Sequence, residues 1–305
     1  MRARLAGVSS TAQAERCAWC GCDLTSAAAL RGRRVCRCGV ATTSPWPTED
    51  ELAEAYGDHY RPAGGRFLGP GDWLLRRTRG RLATRLDQLA PPGPVLDVGA
   101  GDGALLDALH AVGRSATGLE RESSRSDVMD TDVEHVGDGW AAIVFWHSLE
   151  HLRQPSAALA HAAAALQPGG VLVLAMPNTE SIQAQLFGDH WLALDLPRHL
   201  THMPAAVVVA RLAELGLSVE FISHLRGGQV AFGWLHGLVG SLPGHPNLYD
   251  AIRRPGARER PLSGLGIAAI WGAAVALAPV ALAGAVAEAA AHRGGSIYIE
   301  ARRAS

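Results

Sequence analysis

Two sets of residues in this chain have the types and spacing to do chemistry. The first is a cysteine cluster. All five cysteines fall within residues 17–38. Cys17-Ala18-Trp19-Cys20-Gly21 has the form of a zinc knuckle, and Cys36-Arg37-Cys38-Gly39 that of a shortened second one. Four thiolates, from Cys17, Cys20, Cys36 and Cys38, suit a tetrahedral structural zinc site, with Cys22 as spare or substitute. Arg31, Arg33, Arg34 and Arg37 stand nearby and would lower thiolate pKa values; a redox or catalytic thiol is the alternative reading. The second set is a glycine bend, Gly99-Ala100-Gly101-Asp102-Gly103, entered from the apolar run 94–98. Glycine lets the backbone turn sharply and approach a ligand, and the helix expected behind the bend offers unpaired N–H groups.

The bend by itself fits two ligands. Gly99-x-Gly101-x-x-Ala104 satisfies a relaxed dinucleotide fingerprint, and Glu120, closing the next strand, suits a ribose diol in either case. Asp97 separates the two. A carboxylate two residues before the first glycine repels a pyrophosphate and suits a cation. Further along, His147, His151, His199 and His202 are candidate general bases for a hydroxyl nucleophile, and His199 is the preferred one. Its alternative role, with Arg198, is to bond backbone and order its loop. His147-Ser148-Leu149-Glu150-His151 matches the H-x-x-E-H peptidase motif, with both histidines expected on one helix face and able to hold a metal. It follows a strand rather than sitting within a long helix, which argues against proteolysis.

The elements that must position these groups are legible from period and punctuation. Strands are expected at 94–98, 116–119, 141–146, 171–176, 217–222 and 296–301. Helices are expected at 104–112, 156–166 and 205–215, with an amphipathic helix over 76–85 and a turn at Gln167-Pro168-Gly169-Gly170. Alternation of short apolar runs with helical patterns is the mark of an α/β sheet. The division expected is a zinc-ribbon-like module at 1–45, a helical linker at 46–90, a cofactor-binding core at 91–224, a helical apolar insertion at 225–294 and a last core strand at 295–305.

Composition narrows the function. The chain has 305 residues with a formal net charge of −1, so no bulk attraction to nucleic acid is available. All 28 basic residues are arginine. Mechanisms that need a lysine amine, such as a pyridoxal Schiff base, a P-loop NTPase or a protein kinase, are excluded. No apolar run precedes Cys17, so no secretory signal is read and a cytoplasmic location is expected.

Val95-Leu96-Asp97-Val98-Gly99-Ala100-Gly101-Asp102-Gly103 resembles motif I of class I S-adenosylmethionine-dependent methyltransferases. Trp146-His147-Ser148-Leu149-Glu150-His151-Leu152 is similar to that family's segment after its fourth strand. Leu166-Gln167-Pro168-Gly169-Gly170-Val171-Leu172 and Met176-Pro177-Asn178 resemble its entry to and exit from the fifth. Asp195-Leu196-Pro197-Arg198-His199-Leu200 is similar to a stretch of a bacterial subgroup akin to quinone-type O-methyltransferases, whose members carry an acidic and histidine cluster that can hold a divalent ion. The resemblance covers about 91–224 and 296–302 and implies a Rossmann-like, mostly parallel sheet. It implies S-adenosylmethionine held by Asp97, Gly99, Gly101 and Gly103 at its methionine end and by Glu120 at its ribose, with Trp146 and His147 lining the site. The loop near Asp130 and Asp132 would face the adenine, although 121–140 is short, and the acid the family often has before its fourth strand is replaced by Ala141-Ala142. His199, His147 and His151 are the implied catalytic candidates.

Residues 265–287 carry no charge over 23 positions, long enough for a membrane span. Strands before and after the insertion should share one sheet, which forbids a single crossing, and Pro279 is expected to divide the segment into two short helices. These would form a cap over the site or a shallow hairpin at the inner membrane face through 265–291, with Trp271 as anchor. Trp234, Leu235, Leu238 and Val239 add a second apolar patch. These apolar segments point to a lipid-like or small acceptor, and the resemblance to quinone-type O-methyltransferases implies O-methylation. The alternatives are C- or N-methylation of a sugar or other metabolite, and a non-catalytic cofactor-binding or scaffold protein.

Overall fold

Alternation along Val95-Leu96-Asp97-Val98 sends Val95 and Asp97 to one face of a strand and Leu96 and Val98 to the other, and all four are buried. Strands with apolar residues on both faces need cover on both, which is the condition of a parallel sheet packed between helices. The computed structural model describes residues 15–57, 67–69, 71–225 and 228–305; residues 1–14, read above as lacking a secretory signal, lie outside them.

Three short strands, β1 (Ala29–Leu30), β2 (Arg33–Val35) and β3 (Ala41–Thr43), come first, followed by helices α1 (Glu49–Ala55) and α2 (Gly71–Leu89). The central part holds β4 (Val95–Val98), α3 (Ala104–Ala111), β5 (Ala116–Leu119), β6 (Val128–Met129), β7 (Trp140–Trp146), α4 (Pro155–Ala165), β8 (Leu166–Pro177) and α5 (Ile182–Phe187). Then come β9 (Thr201–His202), α6 (Ala205–Glu214), β10 (Leu217–Ser223), α7 (Gln229–Gly240), α8 (Leu248–Ile252), α9 (Gly264–Ala290) and β11 (Ser296–Arg303).

The main sheet has seven strands in the order β10-β11-β8-β7-β4-β5-β6. β11 is antiparallel to both its neighbours, and the other pairs are parallel. One face packs Leu96, Val98, Ile143, Phe145, Leu172 and Leu174 with α4 and α6. The opposite face packs Val95, Ala142, Val144, Val171 and Val173 with α2 and α3. Each such Val or Leu contributes about 1.5–3 kcal/mol on burial. Helix α2 extends the expected 76–85 at both ends and buries Leu82, Ala83 and Leu86 in that second layer, so part of the stretch read as a linker is core.

Three expectations need correction. The turn at 167–170 lies inside β8, where pairing passes from Trp140↔Leu166 to Ala142↔Val171 and Gly169 takes a φ of 73°. The N-terminal sheet is not closed by residues 1–45 alone. Its order is β1-β2-β3-β9, and β9 comes from far along the chain, with Ala41 opposite His202 and Thr42 opposite Thr201. Finally, Pro279 does not divide the apolar segment, because α9 is a single helix of 27 residues. Proline in a helix interior costs about 3 kcal/mol. Here the helix is held on both sides of it, by Ile270 and Ala274 packing against Val239, Leu248 and Ala251, and by Ala281 and Ala285 packing against Phe187, Trp191 and Trp234.

Candidate functional site

The glycine bend leaves the carboxyl end of β4, the middle strand between β5 and β7. Helices and strand ends converge there, and open α/β sheets take their ligands at such a point. Gly99 has a φ of 81°, and a Cβ on it would stand 2.6 Å from Ser148 Cβ. Gly103, with a φ of 77°, is the N-cap of α3. Between them, Gly101 N–H donates to Glu120 Oε2 at 2.8 Å, tying the bend to the end of β5. Glu120 N–H donates to Met129 O at 3.2 Å, which sets the short strand before Asp130 and Asp132 beside it.

Asp97 lies beneath the bend and is buried. Burial pushes its carboxyl up to about 7, against the pull of the Arg79 guanidinium, while Glu120 and Asp102 add repulsion. Arg79, on α2, stands 4.7 Å from the centre of the Trp146 ring. Ser148 Oγ is buried with no hydrogen-bond partner among the described residues. The bend thus combines a cation-seeking carboxyl, a glycine pressed against Ser148 and an unsatisfied hydroxyl. These features fit S-adenosylmethionine, with Asp97, Gly99, Gly101 and Gly103 toward the methionine end and Glu120 toward the ribose.

His147 ends β7 and does not share a helix face with His151. It has a φ of 53°, and the one-turn 3₁₀ segment that follows begins at Leu149. Its Nδ1 lies 3.3 Å from Glu150 Oε1 and its Nε2 lies 2.7 Å from Gln229 Oε1. Ser296 Oγ, at the start of β11, is 3.5 Å from the same Nε2. Glu150 is 1% exposed, and its Oε2 has no hydrogen-bond partner among the described residues. Burial opposes its ionisation, but His147, His199 and His151 hold its carboxyl down at about 2.

His199 is turned inward. Its Nδ1–H donates to Ala193 O at 2.8 Å, and its Nε2 faces Asp195 Oδ2 at 3.6 Å and Glu150 Oε1 at 3.9 Å. His151 Nδ1 sits 2.9 Å from Arg198 O and 2.8 Å from Tyr56 Oη, and its ring centre is 4.7 Å from that of His199. Ligand atoms of Glu150, His151 and His199 all lie within 4.8 Å of one another. The metal-capable cluster is therefore not the expected His147 and His151 pair. Burial pushes the His151 imidazole down to about 4, with His199 adding repulsion. His202 is pushed to about 3 by burial, Arg33 and His199.

Cys17, Cys20, Cys36 and Cys38 converge, with all four sulfurs within 4.8 Å of one another. Cys17 Sγ is 3.7 Å from Cys38 Sγ, and Cys20 Sγ is 3.5 Å from Cys36 Sγ. A tetrahedron with zinc–sulfur bonds of about 2.3 Å has edges of about 3.8 Å, so this donor set fits zinc. Cys22 is exposed, outside the four. Burial raises Cys17 to about 11, whereas Cys20 falls to about 7, where burial is outweighed by hydrogen bonds from Cys22, Cys36 and Cys38. Arg34 donates to Leu24 O and Thr25 O, and Arg31 pairs with Asp189.

The N-terminal sheet beside the cysteines reaches the histidine loop directly. Thr43 Oγ1–H donates to His199 O at 2.7 Å, and Thr43 N–H to Leu200 O at 3.0 Å. Sequence reasoning missed this contact, and also Arg79, Gln229 and Ser296. Arg79 stands inside the arginine-rich stretch, which carried no site signal. Gln229 and Ser296 stand 82 and 149 positions from His147, with no local pattern to link them.

A family model described as a methyltransferase domain matches residues 74–220. No curated protein matches the chain. Among solved structures, the [4+2]-cyclase SpnF aligns at 19% identity over 85% of this chain and 97% of its own, with a TM-score of 0.48. A methyltransferase from Archaeoglobus fulgidus dependent on S-adenosylmethionine aligns at 16% identity, over 74% of this chain and 94% of its own, with a TM-score of 0.44. The magnesium protoporphyrin IX methyltransferase of Synechocystis PCC 6803 aligns at 17%, over 57% and 85%, with a TM-score of 0.40. At such identities none of them lends a substrate to this chain. Residues 74–220, which hold β4 to β8, the glycine bend and Glu120, are thus similar to a methyltransferase domain.

Proposed function

We propose that this chain is an S-adenosylmethionine-dependent methyltransferase that methylates an oxygen nucleophile on a small or lipid-like acceptor. The observation that carries the reading is the Glu150–His147 pair at the end of β7, next to Ser148 and the glycine bend. Glu150 is buried and held ionised, and it orients His147 through Nδ1. His147 Nε2, on a side chain 23% exposed, faces Gln229 Oε1 at 2.7 Å, and it becomes the atom that takes a hydroxyl proton once the acceptor hydroxyl displaces that amide oxygen. His199, favoured from sequence, is buried with its Nε2 facing the Glu150 and Asp195 carboxylates, and it serves better to hold its loop.

When bound, S-adenosylmethionine supplies a methyl group on a positively charged sulfur, so the protein's task is alignment, water exclusion and proton removal. Asp97 and the bend hold the cofactor, Glu120 its ribose, and Trp146 lines the site. Gln229 and Ser296 bring α7 and β11 to His147 and border the acceptor side. The four cysteines hold a structural zinc and brace residues 199–202 through β3.

A second reading rests on Glu150 Oε2, which is buried and without a hydrogen-bond partner among the described residues. His151 Nδ1 and His199 Nδ1 both lie against backbone carbonyls, the arrangement that leaves Nε2 free for a metal. A divalent ion on Glu150, His151 and His199 would then lower the pKa of the acceptor hydroxyl.

The test is S-adenosylhomocysteine formation with a panel of phenols, alcohols, amines and sugar nucleotides. His147→Ala should slow turnover on the active hydroxyl acceptor by about 10²–10⁴-fold without weakening cofactor binding, and chelation should leave wild-type turnover unchanged. Loss on chelation, restored by a divalent ion and abolished in His199→Ala, would favour the metal. Turnover on amines or carbon nucleophiles alone would replace O-methylation. No turnover on any class despite tight cofactor binding would favour a scaffold role.

A further inference from the structure

Helix α9 is inverted relative to a helix of a water-soluble protein. Such a helix turns its large apolar side chains inward and its small or polar ones outward. The α9 residues buried against the body are Ile270, Ala274, Ala281, Ala285 and Glu288, so small residues dominate the protein-facing stripe. Gly284 belongs to the same side, because a Cβ there would come within 2.6 Å of the Trp234 ring. The exposed face carries Leu265 at 87%, Val275 at 72% and Leu282 at 60%, along with Trp271, Val280 and Val286. Small residues at helix contacts and large apolar ones outward is the pattern of helices solvated by lipid.

The helix does not leave the body to cross a bilayer. Its first half is packed on α7 and α8 and its second half on α5 and α7. Near its end, Glu288 accepts hydrogen bonds from Gln183 and Trp234. Tethered along about 40 Å, it lies flat against the protein with its apolar face outward.

The charge around it selects the surface. Between residues 228 and 294 the acids Asp250 and Glu288 are buried, and Glu259 pairs with Arg198. Arg258 and Arg260 precede the helix, and Arg293 follows it. A second apolar cluster accompanies it. On α2, Trp73, Leu74 and Leu75 are exposed and lead into Arg76 and Arg77. The start of α2 is joined to α8, on which α9 packs, by Leu68 N–H donating to Ile252 O and by the Phe67–Tyr249 ring contact at 5.9 Å. Apolar side chains with arginines at their margins complement a bilayer surface bearing anionic lipid.

We propose that α9 docks in the plane of an anionic lipid bilayer, its Leu265-to-Val286 face immersed and the start of α2 as a second contact. Helix α7, which backs α9, begins at Gln229 beside His147, so the docked face adjoins the acceptor side of the site.

The experiment is flotation of the full chain with vesicles of phosphatidylcholine alone or with phosphatidylglycerol, alongside sedimentation equilibrium without lipid. The expected result is flotation with anionic vesicles, weakened by about tenfold in Val275→Glu/Leu282→Glu, with cofactor affinity and the thermal midpoint preserved in the variant. Those two positions are exposed, so the fold does not depend on them. Wild-type protein that stays unfloated with both vesicle types overturns the proposal. So does flotation unaffected by the double substitution. A lipid-free dimer that the substitution dissolves, without flotation of the wild type, assigns the face to a second copy of the chain instead. Each outcome is read independently of methyl transfer.

Discussion

The Glu288 carboxylate accepts the Trp234 indole N–H at 2.8 Å in a fully buried setting. It also accepts the backbone and side-chain N–H groups of Gln183, at 2.8 and 2.7 Å. One acid on an otherwise apolar helix thereby satisfies three donors and fastens α9 to α5 and α7. Glu288→Ala strands all three, so it should destabilise the protein by about 3–5 kcal/mol in urea unfolding. An unchanged midpoint would remove Glu288 from the account of how α9 is held.

Asp97 predicts a pH dependence of cofactor binding. Its carboxyl is raised to about 7 by burial, so a cationic ligand binding beside it must displace a proton below that pH. Affinity for S-adenosylmethionine by calorimetry should fall as pH drops from 7 toward 5.5, by up to about tenfold per unit. Asp97→Asn should flatten the profile. The ligand-free fold responds in the other direction. A carboxyl raised in the folded state adds stability below its ordinary value of 3.8, and that contribution is lost as pH rises through about 7.

The histidine cluster predicts acid lability. His151 and His202 fall from 6.5 to about 4 and about 3 because burial disfavours their charged forms. Groups depressed in this way stabilise the fold above pH 6.5, and that stability is lost as pH falls toward the folded values. Glu150, lowered from 4.5 to about 2, adds to the loss only below pH 4.5. The thermal midpoint should therefore decline from pH 6.5 to 4, before most carboxylates titrate. Because Asp97 gains stability over the same range, the profile is read in Asp97→Asn, where a flat line would contradict the buried, neutral state of these rings.

The shared N-terminal sheet predicts coupling between the cysteine site and the histidine loop. Thr43→Val removes the bond to His199 O and should cost about 1–2 kcal/mol. Stripping metal, or Cys36→Ser, should speed amide exchange at Thr201 and His202, which pair with β3. Protein prepared without chelator should carry one zinc by elemental analysis. Exchange indifferent to metal would show that the two sites share a sheet without sharing stability.

Much of the core was legible from residue order. Ala116–Leu119 is a strand with the expected bounds, and β4, β7, β10, β11, α3, α4 and α6 fall within two residues of theirs, because period and glycine or proline punctuation are local signals. The glycine bend and the four convergent cysteines are short-range patterns of the same kind. The helix through Pro279 was misread because the local cost of proline is visible in the sequence, whereas the packing that offsets it lies on α7 and α8. His147 and His151 were misplaced because a helical spacing was assumed where the chain makes a positive-φ turn and one 3₁₀ turn.

Residue order alone determined the sheet's central strands, the bend and its acid, the four thiols and the absence of lysine chemistry, since each rests on neighbours in the chain. Tertiary structure decided that Glu150 backs His147, that β9 completes the N-terminal sheet and that α9 turns its large side chains outward. Those relationships join residues far apart in the chain, so they exist only once burial has brought distant faces into contact.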